Sequence, residues 1–185
     1  MAFPNIKDKE NFLLKSLDLY KGVVDPTTDA LGSGVIIGYT MPSKTITMNR
    51  TFAEFFDGVP EALVRKDVTR VTASMDLELM EWTTDILQLV TAGEKEEDKD
   101  GAGYDYVYLG TNPDTQNTSG YWLKGETVDG KELYFVIRQG RITTEDTTIE
   151  TGNLEHQSLP VKIEAEIDES VTDLQRNLCF WKKQI

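Results

Sequence analysis

Residues 71–93, VTASMDLELMEWTTDILQLVTAG, change hydrophobic period partway along, and this junction constrains the fold more than any other feature of the chain. Val71, Ala73, Met75, Leu77 and Leu79 alternate with Thr72, Ser74, Asp76 and Glu78, the period of two of a strand with one dry and one wet face. From Trp82 the spacing turns helical. Trp82, Ile86, Leu89 and Val90 are the expected helix–core contacts of a helix near 82–92, and Gly93 stands where a left-handed helix end would want a residue without Cβ. The strand before it is expected over 64–80, about 50 Å at about 3.3 Å per residue, long enough to call for a bend or bulge.

Strands dominate the rest. Residues 17–21 alternate and stop at the turn-forming Asp25-Pro26-Thr27-Thr28. Residues 33–41 and 44–52 are rich in β-branched and aromatic side chains, and Met41-Pro42-Ser43-Lys44 between them predicts a hairpin. Residues 53–63, AEFFDGVPEAL, lack a clean period and carry Gly58 and Pro60, so a loop is expected whose Phe55, Phe56 and Val59 form a contact patch if exposed. Later strands are expected at 104–109, 120–125, 131–139 and 143–150, with the last clear alternation at 161–168. Residues 94–103 read as a solvated charged loop inside a variable region 94–130, and residues 1–16, with Phe12, Leu13 and Leu14, as an arm or short helix. No repeat of solenoid or propeller length occurs. The fold class expected is therefore mainly β: an antiparallel β-sandwich or barrel with one flanking α-helix, formed by residues 17–185 as one domain.

Composition narrows the function. Of 185 residues, 19 are Lys or Arg against 32 Asp or Glu, a net charge of −13, so the surface repels polyanions, and no basic stripe of a sequence-reading nucleic-acid binder is visible. Cys179 is alone, which excludes an intramolecular disulfide and a thiolate zinc site. The N-terminal residues lack a basic region followed by an apolar segment, and no run of about 20 apolar residues occurs; a soluble, intracellular chain without membrane insertion is expected. The N-x-S/T triplets at Asn49 and Asn117 then carry little weight.

Catalytic patterns fail their context tests. Gly32-Ser33-Gly34 with Gly38 is followed by a β-branched run, where a dinucleotide loop needs a helix. Asp98, Asp100, Gly101, Gly103 and Asp105 suggest calcium, but Leu109 occupies the closing carboxylate position. His156 is the sole histidine and has no nucleophile motif beside it. Carboxylate pairs are abundant and none is singled out. Tyr104, Tyr106, Tyr108, Tyr121 and Trp122 would make a carbohydrate platform, although aromatics at alternate positions more often stabilise a sheet. Neither an enzyme, a cofactor nor a metal is expected.

The order of elements resembles the core of bacteriophage tail tube (major tail) proteins. The resemblance rests on GVIIGYT, on FFDGVPEAL leading to VTRVTASMDLELMEW with its helix through Gly93, and on the late LPVKIEAEIDES strand, over most of residues 17–170. It implies a non-enzymatic virion protein that self-assembles into hexameric, stacked rings forming a hollow tube, a conduit for genome delivery. Its partners would be copies of itself, a tail terminator, the tape measure, a distal baseplate or tip protein, and DNA in transit. It would be synthesised and assembled in the host cytoplasm and reside in the virion tail. Asp76, Glu78, Glu164 and Glu166 are the lumen candidates, because alternation sends all four away from the core and acidic groups avoid holding phosphate; facing outer solvent is the alternative. Lys66, Arg70 and Lys162 share those polar faces by parity. Phe12, Leu13, Phe55, Phe56 and Val59 are the inter-subunit candidates. A tail terminator or secretion-tube ring protein of similar fold, and a carbohydrate-binding β-sandwich, are the rival readings.

Overall fold

The computed structural model describes residues 17–57, 62–80, 83–91, 93–99, 101–108, 118–126, 130–143 and 158–184. Among them the elements are β1 (Asp18–Gly22), β2 (Val35–Asp57), β3 (Ala62–Leu79), α1 (Thr84–Thr91), β4 (Glu94–Glu96), β5 (Tyr106–Tyr108), β6 (Ser119–Glu126), β7 (Glu132–Ile142), β8 (Leu159–Glu166) and β9 (Cys179–Lys183). The fold is mainly β, with one helix. Antiparallel strands pair in the order β6-β1-β2-β3-β8-β7, and β7 pairs back onto β6 to close a barrel. The first half of β7 also carries β9, while β4 and β5 make a separate pair.

Alternation fills the barrel. Leu19 of β1, Met75, Leu77 and Leu79 of β3, Leu123 of β6, Phe135 and Ile137 of β7, and Leu159, Val161 and Ile163 of β8 share one buried cluster. The helix adds Ile86 and Val90 to that cluster, with Leu89 half-buried against it; Trp82 lies outside the described residues. Thr83 starts the helix, its Oγ1 accepting the Ile86 N–H at 3.2 Å, an N-cap bond that satisfies one orphan donor. Gly93 does not adopt the left-handed conformation expected of it. Its glycine is required by close approach instead, since a Cβ there would lie 2.7 Å from the Tyr108 carbonyl oxygen.

The hairpin expected around 41–44 does not form, because β2 runs unbroken for 23 residues. Its register to β3 jumps from Thr40↔Leu79 to Lys44↔Leu77, so two extra residues bulge where Pro42 has no N–H to give. Nor are residues 53–63 a loop: 53–57 end β2 and 62–63 begin β3, so the hairpin is β2–β3. Glu94–Glu96 form a short strand rather than part of a charged loop. The strand expected at 143–150 falls almost wholly outside the described residues, and β9 was not foreseen.

The outside of the barrel has one covered side. Trp122, Val136 and Val24 form a second buried cluster with Tyr20, Leu31, Tyr134 and Phe180, so β1, β6 and β7 bury both faces. The Trp122 indole stacks on Tyr20 with ring centroids 6.0 Å apart, and Gly22 and Gly34 make room for it; a Cβ on Gly22 would come within 2.6 Å of Cη2. Arg138 of β7 pins this layer. Its buried guanidinium pairs with Asp29, donates to the Arg176 carbonyl oxygen and lies over the Phe180 ring, 5.0 Å from the centroid. Asp29, in the left-handed region at φ 58°, also holds Arg176 at 2.6 Å. Segments 23–34 and 168–178 are thus tied to β7 by one cation.

Arg138→Met is expected to lower the unfolding free energy by about 3 kcal/mol, the cost of removing one partner of a buried pair. Adding Asp29→Asn should return part of that loss; strictly additive losses in denaturant titrations would show that the pair is not coupled. Nearby, the Asp25 carboxylate accepts the Thr28 and Thr27 N–H groups at 2.8 and 2.7 Å, and these bonds, Thr28's first, hold it below the ordinary aspartate range. Its contribution is present above the unfolded aspartate value and lost as pH falls through the lower folded one. Asp25→Asn is expected to flatten the acid limb of the stability curve, and an unchanged acid limb would remove that role.

Candidate assembly surface

The hairpin β2–β3 outruns its own barrel. β1 pairs with β2 only at Val35–Tyr39, and β8 pairs with β3 only at Ser74–Leu79, so residues 50–57 and 62–71 are partnered, among the described residues, only by each other. Each face of this ribbon continues a face of the barrel.

The core-facing side continues as Met48, Arg50, Phe52, Glu54 and Phe56 on β2 and as Val71, Val68, Lys66 and Leu63 on β3. Its six apolar residues lie outside the barrel core and are 41–55% exposed. They stay on one face because β3 slips register twice, between Thr51 and Phe52 of β2 and between Phe55 and Phe56. Each slip inserts one residue and reverses the parity of the residues beyond it. Without the slip at Thr69, Val68 would sit on the wet face. The same slip moves Lys66 off the polar face, contrary to the parity expectation: it pairs with Glu54 at 2.7 Å and lies over Phe52, 4.8 Å from the ring centroid.

The opposite side is polar from the barrel as far as Thr51 and Arg70, and beyond them Ala53, Phe55 and Ala62 interrupt it. Thr45, Thr47, Asn49 and Thr51 of β2 stand beside Asp76, Ser74, Thr72 and Arg70 of β3, and β8 extends the strip with Glu164 and Lys162 opposite Ser74 and Asp76. The four expected carboxylates, Asp76, Glu78, Glu164 and Glu166, therefore do share one face, each half-buried. Two are matched by cations: Lys162 Nζ lies 2.8 Å from Glu164 Oε1 and Arg141 Nε 3.0 Å from Glu166 Oε1. Glu78 accepts the Ser158 hydroxyl at 3.0 Å. The strip is mildly acidic and hydroxyl-rich rather than uniformly negative.

Of the expected contact residues, Phe12, Leu13 and Val59 lie outside the described residues. Phe55 and Phe56 are both exposed but diverge: Phe56 joins the apolar side, while Phe55 lies on the polar side, where the Arg65 guanidinium stands 5.7 Å from its ring centroid. Met48, Phe52, Leu63, Val68 and Val71 were missed, because a fixed period of two carries no sign of a bulge. The aromatic platform is absent as a surface. Tyr121 and Trp122 are buried on opposite faces of β6, and burial pushes the Tyr121 phenol up to about 12; Tyr106 and Tyr108 stack on each other elsewhere, on β5. The 94–105 segment is organised around Lys95, whose ammonium meets Asp85 at 2.7 Å, Glu97 at 2.8 Å and Asp105 at 3.7 Å. The first two carboxylates hold it well above the ordinary lysine range. His156 lies outside the described residues.

Half-exposed apolar side chains on a ribbon with no layer over them among the described residues gain on the order of 1 kcal/mol each when covered. Phe52→Ser with Val68→Ser is therefore expected to change the unfolding free energy of dispersed subunits by less than about 1 kcal/mol while sharply reducing self-association in sedimentation velocity. An unchanged distribution of oligomers would show that this face is not a contact.

No protein-family model matches the sequence, and no curated protein does. Among solved structures, the chain is similar to one in the cryo-EM structure of the PVC sheath-tube complex, an extracellular contractile injection system in its extended state. The match has a TM-score of 0.52 and 7% sequence identity, and covers 99% of this chain and 100% of that one. At that identity the likeness is one of fold.

Proposed function

We propose that the chain is a structural subunit, without catalytic activity, that assembles with copies of itself into stacked rings forming a tail-like tube. The observation that carries this reading is the two-faced hairpin: its apolar side extends the core-facing surface beyond the barrel, and its polar side extends a strip that no layer of the described residues covers. A neighbouring copy covering the apolar side buries it, and the polar strips of successive copies then line a channel. Closed rings of identical, head-to-tail contacts satisfy both requirements at once. The ribbon's outer backbone edges, unpaired among the described residues, supply the hydrogen-bonding groups for a sheet shared between copies. The similarity in fold to a chain of a sheath-tube complex supports the same reading, and the sequence resemblance adds six-fold rings, tail partners and DNA as cargo.

The lining suits passage of a polyanion. Cations that could grip phosphate add counterion-release affinity with every contact, and here Arg141 and Lys162 face Glu166 and Glu164. A tube belonging to an injection system with another cargo is the second reading, favoured by the contractile injection system in the fold comparison.

Electron microscopy of the purified chain is expected to show hollow rings or tubes as concentration rises. With Cys179→Ser as background, Asp76→Cys should react with a maleimide on a large polymer only in dispersed subunits, and with a small maleimide in tubes too. Equal reaction with the large reagent in tubes would put the strip on the outer surface. Subunits that stay dispersed at every concentration would overturn the self-assembly reading.

A further inference from the structure

Besides the hairpin, the structure holds a cleft of about 850 Å³ at the barrel end where β2 begins. It lies between the β1–β2 connection and α1, and its apolar lining includes Val23, Val35, Ile36 and Leu89. Val23 and Val35 are 74% and 72% exposed and Ile36 is 49% exposed, more open aliphatic surface than a subunit in solution ordinarily presents in one place.

The apolar surface does not stop at the cleft. The register of β1 on β2 slips between Leu19 and Tyr20, so that Leu19 faces Gly38 while Tyr20 faces Ile36. The extra residue of β2 reverses the parity beyond it, which puts Tyr39 and Ile36 on the same outer face. Tyr39 is 47% exposed, so an apolar track leads from Tyr39 through Ile36 and Val35 into the cleft. The head of this track is where the N-terminal residues join the barrel. Thr40, next to Tyr39, donates its N–H and its hydroxyl to the Leu17 carbonyl oxygen at 3.0 and 2.8 Å, and residues 1–16 precede Leu17.

Reach and charge both match. Ile36 is four residues from Thr40, about 13 Å at about 3.3 Å per residue, and Leu13 and Phe12, four and five residues from Leu17, reach about 13 and 17 Å. Lys7, Lys9 and Lys15 outnumber Asp8 and Glu10, which makes residues 1–16 a net +1 on a chain of −13. We propose that Phe12 and Leu13 turn back along the track and seat in the cleft of their own subunit. Their own subunit is the occupant's source because a tether of four or five residues holds them at an effective concentration on the order of millimolar, which another copy must exceed to compete. A seated arm closes the open aliphatic surface of a dispersed subunit, and any partner that uses the cleft must first displace it. The contact is made within one chain and does not rest on the tube reading.

The test is cysteine crosslinking in a Cys179→Ser background, at concentrations where subunits are dispersed. Leu13→Cys with Ile36→Cys is expected to form an intramolecular disulfide on mild oxidation, seen as a faster monomer band whose yield does not change with protein concentration. Leu13→Cys with Leu174→Cys, an exposed position far from the cleft in sequence, is expected to give several-fold less. A second measurement needs no cysteine: Phe12→Ser with Leu13→Ser should raise the fluorescence of Nile red several-fold, and adding Ile36→Asp should return it toward the parent chain. Absence of the intramolecular link, or dye fluorescence that does not change, would overturn the proposal. A 13–36 link found only in dimers would overturn it too, by placing the arm on another copy.

Discussion

A pair of strands longer than the barrel they belong to sets the terms for the rest of this structure. Within the barrel, β3 is held on both edges, by β2 and β8, and its odd-numbered residues from Ala73 to Leu79 are buried. Beyond Ser74 the β8 partner ends, yet the hydrophobic side chains continue. A soluble chain with no use for such a face would end the strands earlier, or place charges on the core-facing side as blunted edges do. Here the core-facing side carries Arg50 and the Glu54–Lys66 ion pair, but they alternate with exposed apolar residues. Two register slips are inserted in β3 so that Val68 and Leu63 remain in phase with Phe52 and Phe56, which keeps these apolar residues on one side of the ribbon.

Much of this was legible in the alternation of residues 71–79 and in the turn to helical spacing after it, and the strand, its wet face and the Ile86, Leu89, Val90 packing all stand where that rhythm put them. Periodicity reports local faces, so it could place Asp76, Glu78, Glu164 and Glu166 on outward positions, and the β3–β8 register then brought those positions together. It failed where two local signals conflict. Pro42 reads as a turn, but on a strand whose facing residues skip, a proline is accommodated as a bulge. Gly58 and Pro60 suggested that all of 53–63 was loop, while the β2–β3 ladder takes in 53–57 and 62–63. Lys66 was placed on the wrong face for the same reason: a bulge at Thr69 is a property of two paired strands, and a single strand's residues do not encode it.

The two outer sides of the barrel are built for different ends. Over β1, β6 and β7 a second apolar layer is laid down and fastened by Arg138, whose desolvated cation is balanced by Asp29 and by peptide carbonyl groups. A charge so enclosed gives direction rather than net stability, since it penalises any packing of segments 23–34 and 168–178 that leaves it unpaired. Over β2, β3 and β8 no layer is laid down among the described residues, and the strip is hydroxyls and partly neutralised carboxylates. The covered side also fixes the start of β2, since segment 23–34 leads into Val35 and β1 pairs with Val35–Tyr39.

Charge decides how such surfaces can be used. A subunit of net charge −13 resists meeting its own kind, and at 0.15 M ionic strength that repulsion is screened beyond about 8 Å. The remaining repulsion must be overcome by short-range contact, which the apolar side of the ribbon can supply because burial is not screened by salt. The same screening has the opposite consequence for a polyanion near the polar strip. There Lys162 and Arg141 lie beside carboxylates, and the four carboxylates outnumber the three cations once Arg70 is included, so raising salt weakens a net repulsion. Association driven by apolar burial against a like-charge background therefore strengthens with salt, whereas attachment of nucleic acid through cations weakens with it. The two behaviours come from separate faces of a single hairpin, and under the proposed reading that separation would let one strand pair join subunits without binding what passes along them.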